Sequence, residues 1–202
     1  MEMEHVTPES VGVPSQAVLD LLDELYRYGI EMHGILLLRH GKIYAQGWWS
    51  PYNPQTPHAM FSFTKSLTST AIGFAVQEGV LSLDDRLVDI FPDKIPENPS
   101  EHLRQCQVRH LLMMGCGHET EIPKWGDGDR DWISAFLHHP FVYKPGTHFL
   151  YNTAGTNLLS AILTRKTGLT LTQFLKPRLF DPLGMGDVSC YAMLDGTEMG
   201  GA

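Results

Sequence analysis

The sequence has little positive charge and no cluster of basic residues. Its 202 residues include 15 Lys and Arg against 23 Asp and Glu, which gives a net charge of −8 at pH 7. Nucleic acids and anionic membrane surfaces are bound largely through Lys and Arg, so neither is expected as a partner. No apolar run approaches the ~20 residues that a membrane-spanning helix needs. The acidic balance otherwise indicates solubility.

Cysteine is also scarce, and the first residues lack the features of a leader. The three cysteines are Cys106, Cys116 and Cys190. An odd number in a chain of this length argues for free thiols in a reducing compartment rather than a disulfide framework. Residues 1–5 carry neither the basic nor the apolar segment of a secretory signal. We therefore expect a cytoplasmic protein.

The remaining composition and the apolar periodicity indicate a globular α+β chain that is mostly helical. Hydrophobic residues make up 43% of the sequence, enough for a sizeable core. Helical spacing predicts a helix at 14–28, and a β-hairpin follows in which strands 34–39 and 42–48 flank a His-Gly turn. The first strand is apolar on consecutive residues, so we expect both of its faces to be covered. We interpret the chain as one domain, with the helix and hairpin in 1–60 and mainly helices in 61–202.

Ser62 lies three residues before Lys65, where an apolar helical run begins. Positions i and i+3 of a helix share a face, so the hydroxyl and the amine are expected to lie close together. A serine hydroxyl becomes a good nucleophile when a nearby base takes its proton. A simpler interpretation is that Ser62 only caps the helix. The helix has no charged residue between Lys65 and Glu78, so we expect it to be buried on most sides.

Several motifs together indicate a protein family more specifically than Ser-x-x-Lys does alone. They occur in this order: the His40-Gly41 hairpin turn, Phe61-Ser62-Phe63-Thr64-Lys65, Val108-Arg109-His110-Leu111-Leu112, Lys144-Pro145-Gly146-Thr147 followed by Tyr151-Asn152, and Leu179-Phe180-Asp181-Pro182-Leu183-Gly184-Met185. This pattern resembles the serine β-lactamase-related family of class C β-lactamases, DD-peptidases and β-lactamase-like esterases. The resemblance covers nearly the whole chain and implies a β-lactamase/transpeptidase-like fold.

The resemblance also implies a reaction and its residues. Ser62 would be the nucleophile that forms an acyl-enzyme with an ester, an amide or a β-lactam. Lys65 would act as the base or assist it, and Tyr151 would relay protons to the leaving group. The backbone N–H of Ser62 would form half of the oxyanion hole. The resemblance implies a small-molecule acyl substrate as the partner and no cofactor.

Two positions depart from the family pattern. The second motif is usually Tyr-x-Asn, whereas here Asn152 directly follows Tyr151 and Thr153 takes the usual asparagine position, so substrate contacts from Asn152 and Thr153 are weak predictions. Lys166-Thr167-Gly168 spells the third motif, but it closes a helix rather than lying on a strand. We therefore expect that the C-terminal sheet strands are missing, that the truncated chain has low activity alone, and that its incomplete sheet promotes self-association.

Two other interpretations remain open. His102, Cys106 and His110 lie at i, i+4 and i+8, and Cys116 and His118 follow. If the segment were one helix, the first three would share a face and suggest a zinc site. Chance alignment is easy with ten histidines, so we predict no metal. The second alternative is a non-catalytic binding or structural fragment that keeps the same scaffold.

Overall fold

The computed structural model describes residues 3–122 and 131–201. The chain forms two compact units, Met1–Ala59 and Met60–Ala202. The sequence also predicts an acidic, glycine-rich loop at 126–131, and all of that loop except Asp131 lies outside the described residues.

The first unit consists of a helix and an antiparallel hairpin. Helix α1 is Ser15–Arg27, strand β1 is Gly34–Arg39 and strand β2 is Lys42–Trp48. His40 and Gly41, between the strands, both have positive φ angles of 53° and 73°. Two left-handed residues are typical of the tight turn whose twist matches a hairpin. The predicted helix and hairpin are therefore confirmed to within a residue at their ends.

Strand β1 is less covered than the sequence predicts. Val18 and Leu22 of α1 share a cleft with Ile35 and Leu37 of β1, so the helix covers one face of the hairpin. On the other face Leu36 is 47% exposed. The expectation that both faces are covered is wrong for the described residues, because their sheet has two strands and one helix against it.

The second unit is mainly helical. Its helices, in chain order, are α2 Thr64–Gln77, α3 Leu87–Ile90, α4 Glu101–Gln105, α5 Val108–Leu112, α6 Trp132–His138, α7 Thr153–Thr167, α8 Leu171–Leu175 and α9 Asp181–Leu183. They surround one hydrophobic core that includes Phe91, Trp132, Phe136 and Phe174. Together with the hairpin, these helices give the mostly helical α+β organisation that the sequence predicts.

Helix α7 lies at the centre of this core, whereas α2 lies at its side. Ten consecutive residues of α7, from Ala154 to Leu163, are buried. Helix α2 buries a single stripe made of Thr68, Ala71, Ile72 and Ala75. The expectation of a helix buried on most sides is therefore wrong for α2 within the described structure. Its small and hydroxyl-bearing residues avoid charge without making a second apolar face.

Helix ends follow local rules. Gly168 ends α7 in the left-handed conformation, as predicted. After α8 the chain passes through a π-helical turn, Lys176–Phe180, before α9. The sequence predicts a helix at 171–180 that is interrupted near Pro177. Pro177 lies in the π-helical turn and has no N–H to donate, which accounts for the interruption.

No helix within residues 3–122 and 131–201 is both long enough and apolar enough to span a bilayer.

Candidate active site

Ser62 lies in a short 3₁₀ turn, Phe61–Phe63, directly before α2. Phe61 has a φ of +45°, a strained value for a residue with a side chain. Neither the turn nor α2 has a side-chain cap hydrogen bond at its start. Ser62 is exposed, and it does not act as the helix cap that the simpler interpretation expects.

The structure brings Ser62, Lys65 and Tyr151 together. Lys65 Nζ donates a hydrogen bond to Ser62 Oγ over 3.1 Å. Tyr151 OH donates to the same oxygen over 2.8 Å. Lys65 Nζ also lies 5.0 Å from the centroid of the Tyr151 ring. The spacing of Ser62 and Lys65 along the chain predicts the contact between these two residues. The contact between Tyr151 and Ser62 joins residues 89 positions apart.

Backbone contacts on both sides hold Tyr151 in place. Before it, Leu150 N–H donates to Met114 O over 2.9 Å. After it, Asn152 caps α7 by accepting a hydrogen bond from Gly155 N–H at 2.9 Å. The side chain between these anchors is 46% exposed. Tyr151 therefore presents its hydroxyl from a fixed backbone while staying accessible to a ligand.

The contacts of Tyr151 change its acidity. The pKa of the phenol lies below the ordinary tyrosine value, first because of the hydrogen bond with Ser62 and then because of Lys65. A nearby ammonium and a hydrogen-bond donor both favour the phenolate. At a given pH a larger share of Tyr151 than of a free tyrosine is therefore in the phenolate form, which can accept a proton.

A pair of glycines supports Lys65 from the opposite side. Lys65 Nζ donates a hydrogen bond to Gly201 O. Gly201 N–H in turn donates to Asn157 Oδ1 over 2.8 Å, and Thr68 Oγ1 donates to Gly200 O over 2.7 Å. We call residues Gly200 and Gly201 the glycine strap. The strap lies between α2 and α7 and fixes an oxygen acceptor beside Lys65.

Only glycine fits in the strap. A Cβ on Gly200 would lie 2.6 Å from Thr156 O, and a Cβ on Gly201 would lie 2.8 Å from Thr153 Cγ2. The sequence analysis missed the strap and its partner Asn157. The available signal was a polar Asn157 in a helix whose neighbours are apolar, because a buried amide needs a hydrogen-bond partner.

The two residues predicted to contact substrate have different positions. Asn152 is 2% exposed, and its amide lies among buried groups, 3.7 Å from Cys116 Sγ and 3.3 Å from His118 Nδ1. Its side chain is thus part of the core and the α7 cap rather than of the Ser62 cluster. Thr153 is half-buried and its N–H donates to Glu121 Oε1 over 3.4 Å. Its contact with substrate stays a prediction.

The arrangement required for zinc does not form. Helix α4 ends at Gln105 and α5 begins at Val108, so the proposed ligands do not share one helix face. The candidates have other partners: His102 Nδ1 bonds Phe141 O, and His110 Nδ1 accepts from Gln107 N–H. Within the described ranges, no group of three or more His, Cys, Asp or Glu residues has the geometry of a metal site.

Known proteins resemble this chain over most of its length. The lovastatin esterase of Penicillium rubens is 28% identical over 154 residues, which cover 64% of this chain and 38% of the esterase. A β-lactamase of Escherichia coli is 24% identical over 134 residues, which cover 66% of this chain and 34% of that enzyme. The chain thus spans well under half the length of these curated relatives.

Solved structures show the same fold. The crystal structure of a β-lactamase/D-alanine carboxypeptidase from Pseudomonas syringae superposes with a TM-score of 0.68 at 23% identity, covering 89% of this chain and 56% of that one. The described residues therefore have a β-lactamase/transpeptidase-like fold. The family model named Beta-lactamase matches residues 20–192, and the chain accordingly belongs to the beta-lactamase family.

Proposed function

We propose that this chain is a serine hydrolase whose nucleophile is Ser62 and which acts through an acyl-enzyme. The observation that supports this most strongly is the pair of hydrogen bonds that Ser62 Oγ receives from Lys65 Nζ and Tyr151 OH, at 3.1 and 2.8 Å. One hydroxyl contacted by two groups that can exchange protons is the arrangement that nucleophilic catalysis requires.

In the first step Ser62 Oγ attacks the carbonyl carbon of the substrate. The Ser62 proton passes to Lys65 or Tyr151 in its unprotonated form. The new Oγ–carbon bond gives a tetrahedral intermediate, whose oxyanion the Ser62 N–H would stabilise. The bond from carbon to the leaving group then breaks, and Tyr151 OH gives a proton to the departing oxygen or nitrogen. Where Lys65 took the serine proton, Lys65 passes that proton to Tyr151 in turn. Water hydrolyses the resulting ester by the same sequence.

The substrate class that we propose is an ester, an amide or a β-lactam with an apolar acyl group. Phe61 and Phe63, on either side of Ser62 in the chain, are 74% and 53% exposed. Exposed aromatic rings beside a nucleophile provide surface against which an apolar acyl group can pack. Among the relatives, one is named for an ester substrate and another for β-lactams.

We also propose that the 202-residue chain alone has low activity. The N–H of Ser62 is the one oxyanion donor that the proposed mechanism assigns. In the family that the sequence resembles, the second donor comes from the part of the fold that carries the third motif, whereas the Lys-Thr-Gly sequence of this chain lies at the end of α7 rather than on a strand. Loss of one such donor costs about 10²–10³ in rate. A cytoplasmic location stays a prediction.

Active-site labelling tests the nucleophile. A fluorophosphonate probe should label the chain once, on Ser62, and p-nitrophenyl acetate or nitrocefin should be consumed slowly. Ser62→Ala should abolish both signals. Ser66→Ala is the matched control, since Ser66 is an exposed serine one turn further along α2, and it should keep both.

Two outcomes would reject the proposal. Labelling that persists in Ser62→Ala would place the nucleophile elsewhere. A folded wild-type chain that neither labels nor consumes any of these acyl donors would favour the non-catalytic binding fragment instead.

A further inference from the structure

The unit Met60–Ala202 has a cleft of about 350 Å³ that the proposed hydrolase reaction does not use. It is lined by Arg86, Arg104, Gln105, Gln107, His110, Lys144 and Pro145. This volume falls within the range of small-molecule sites, ~300–1,000 Å³. Every lining residue except proline can donate a hydrogen bond from its side chain. Among the described residues, the lining includes no carboxylate.

Two of the cations in the cleft have no counter-ion among the described residues. Arg104 donates from Nε to Pro99 O over 3.1 Å, which orients its guanidinium and leaves its terminal nitrogens available. Lys144 likewise makes no ion pair in the part of the chain that the structure describes. Arg86 differs, because Asp89 accepts two hydrogen bonds from it, at 2.7 and 3.1 Å. The cleft therefore carries two uncompensated positive charges in a chain of net charge −8.

His110 adds a neutral donor to these charges. Its Nδ1 accepts a hydrogen bond from Gln107 N–H over 3.0 Å, so the neutral ring carries its proton on Nε2. Burial, and then the neighbouring Arg109, lower the pKa of His110, which keeps the ring neutral. The Nε2 edge faces Gly146, where a Cβ would lie 3.5 Å from that nitrogen. The ring edge formed by Cδ2 and Nε2 therefore lies beside the 144–146 turn, of which Lys144 and Pro145 line the cleft.

Backbone hydrogen bonds fix the walls of the cleft. Leu87 N–H donates to Cys106 O, and Val108 N–H donates to Asp85 O, each over 3.0 Å. These two bonds hold the segments that carry Arg86 and Gln107 side by side. On the opposite wall, Gly146 N–H donates to Gly115 O over 2.7 Å. Donors mounted on a fixed backbone bind with little ordering cost.

We propose that this cleft binds a small multivalent oxyanion, a molecule bearing a phosphate or two carboxylate groups. The planar guanidinium of Arg104 can donate two parallel hydrogen bonds to one such group. Lys144 and the His110 Nε2–H would contact its other oxygens. A small ligand fits better than nucleic acid, because the acidic chain would repel a long polyanion outside the cleft.

An NMR titration tests the site directly. Phosphate is added to the 15N-labelled full chain, at ionic strength held constant with sodium chloride, and citrate is titrated in parallel. Saturable shifts should be confined to the amides of residues 104–110, Lys144 and Gly146. Tighter binding of phosphate would identify a phosphate-bearing ligand, and tighter binding of citrate a carboxylate ligand. Arg104→Gln and Lys144→Gln should each weaken binding about tenfold, the effect of one charged hydrogen bond.

Matched variants separate the site from general charge. Arg39→Gln removes an exposed arginine of β1, and Lys42→Gln removes a half-buried lysine of β2 that pairs with Glu4. Both should bind as the wild type does, and circular dichroism should show all four variants folded. Shifts spread over the whole surface, equal weakening in the control pair, or no saturation by either anion would overturn the proposal. An oligonucleotide that bound more tightly than both anions would overturn the small-ligand assignment.

Discussion

The phenol of Tyr151 donates a hydrogen bond to Ser62 Oγ, and its ring lies 5.0 Å from the Lys65 ammonium. Each of the three side chains thus touches another, and all three are at least partly accessible. Catalysis through an acyl-enzyme needs a proton to leave the serine and to reach the leaving group. In the proposed reaction Tyr151 would carry out that transfer, because its lowered pKa favours the phenolate, which can accept a proton.

Replacing Tyr151 tests this role. In Tyr151→Phe the ring is retained but the proton acceptor is lost, so acylation by p-nitrophenyl acetate should slow by about 10²–10³. Because the Tyr151 pKa is lowered, wild-type acylation should rise with pH to an inflection below ~10, the value for free tyrosine. That inflection should vanish in the variant. Stopped-flow acylation against pH measures both effects.

Tyr143→Phe is the control for that experiment. Tyr143 lies on the same loop, and its hydroxyl donates to Glu119 Oε1 over 3.4 Å, away from the Ser62 cluster. Its removal should leave the rate and the inflection unchanged. A similar loss in both variants would mean that the loop, rather than the phenol of Tyr151, matters.

His118 is a second residue whose acid–base chemistry the fold controls. It is 1% exposed and packs against Phe136 and Phe141, with ring centroids 4.7 and 4.3 Å away. Burial, and then the nearby His139, lower its pKa to about 3. The imidazole is therefore neutral in the folded chain at pH 7, because burial disfavours the charged form of the ring.

Acidification should destabilise the fold through His118. The unfolded residue takes up a proton near pH ~6.5, whereas the folded one does so at about 3. The free energy of unfolding is therefore unaffected by protonation of His118 above pH ~6.5. As the pH falls from there towards the folded pKa, the free energy of unfolding decreases by up to ~1.4 kcal/mol per pH unit. Urea unfolding from pH 7 to pH 5 measures the slope, above the range in which most carboxylates titrate.

His118→Phe should flatten that slope, although it should lower stability at pH 7 by removing the contact with Asn152. His138→Gln is the control, since His138 is exposed at the end of α6, and it should keep the wild-type slope. An unchanged slope in His118→Phe would show that other groups cause the pH dependence.

Helices α2 and α7 act as a pair with the glycine strap between them. Helix α2 contributes Lys65 and Thr68, and α7 contributes Asn157. Side-chain hydrogen bonds to the strap replace the backbone pairing that a strand would have. The two helices hold the strap in place, and the strap in turn holds Lys65, although it lies 136 positions further along the chain.

Adding a methyl group to the strap tests this arrangement. In Gly200→Ala the new Cβ would lie 2.6 Å from Thr156 O, so the strap must shift, at a cost of about 1–3 kcal/mol in unfolding free energy. The shift should also reduce labelling of Ser62 by the fluorophosphonate. Gly186→Ala is the control, because nothing lies within 4 Å of its Cβ position. Equal stability and labelling in the two variants would contradict the role of the strap.

Among the elements, those determined by local chemistry follow the sequence closely. The His40-Gly41 turn and the Gly168 cap are set by residues that tolerate the left-handed conformation, so both are confirmed. The burial of β1 and α2 differs from prediction. Apolar spacing shows which residues could be covered, but coverage depends on which elements pack against them.

As a whole, the molecule exposes much apolar surface on its first unit. Among the hydrophobic residues in the described part of that unit, Ile43 alone is buried. Leu19 and Leu36 are 54% and 47% exposed. The sheet of the described residues has two strands. Residues 4–6 pair with Ile43 on the outer edge of β2, so the open edge of the described sheet is that of β1. An open edge and exposed leucines favour association between chains.

The 202-residue chain is expected to self-associate through this sheet. Sedimentation velocity should show an average mass that rises with concentration. Leu36→Lys places a charge on the exposed face of β1, which should shift the distribution towards monomer. Met113→Lys is the control, because Met113 is 53% exposed but belongs to the helical unit. A monomer at all concentrations would contradict the expectation.

The sequence by itself determined the hairpin, most helix ends and the proximity of Ser62 to Lys65, because turn chemistry and the i, i+3 spacing of a helix depend on neighbouring residues. It indicated Tyr151 only through resemblance to a family. Tertiary structure alone decided that Tyr151 reaches Ser62, that Asn152 turns into the core, and that the glycine strap supports Lys65. These contacts join distant segments, and only the packing of whole elements brings such segments together.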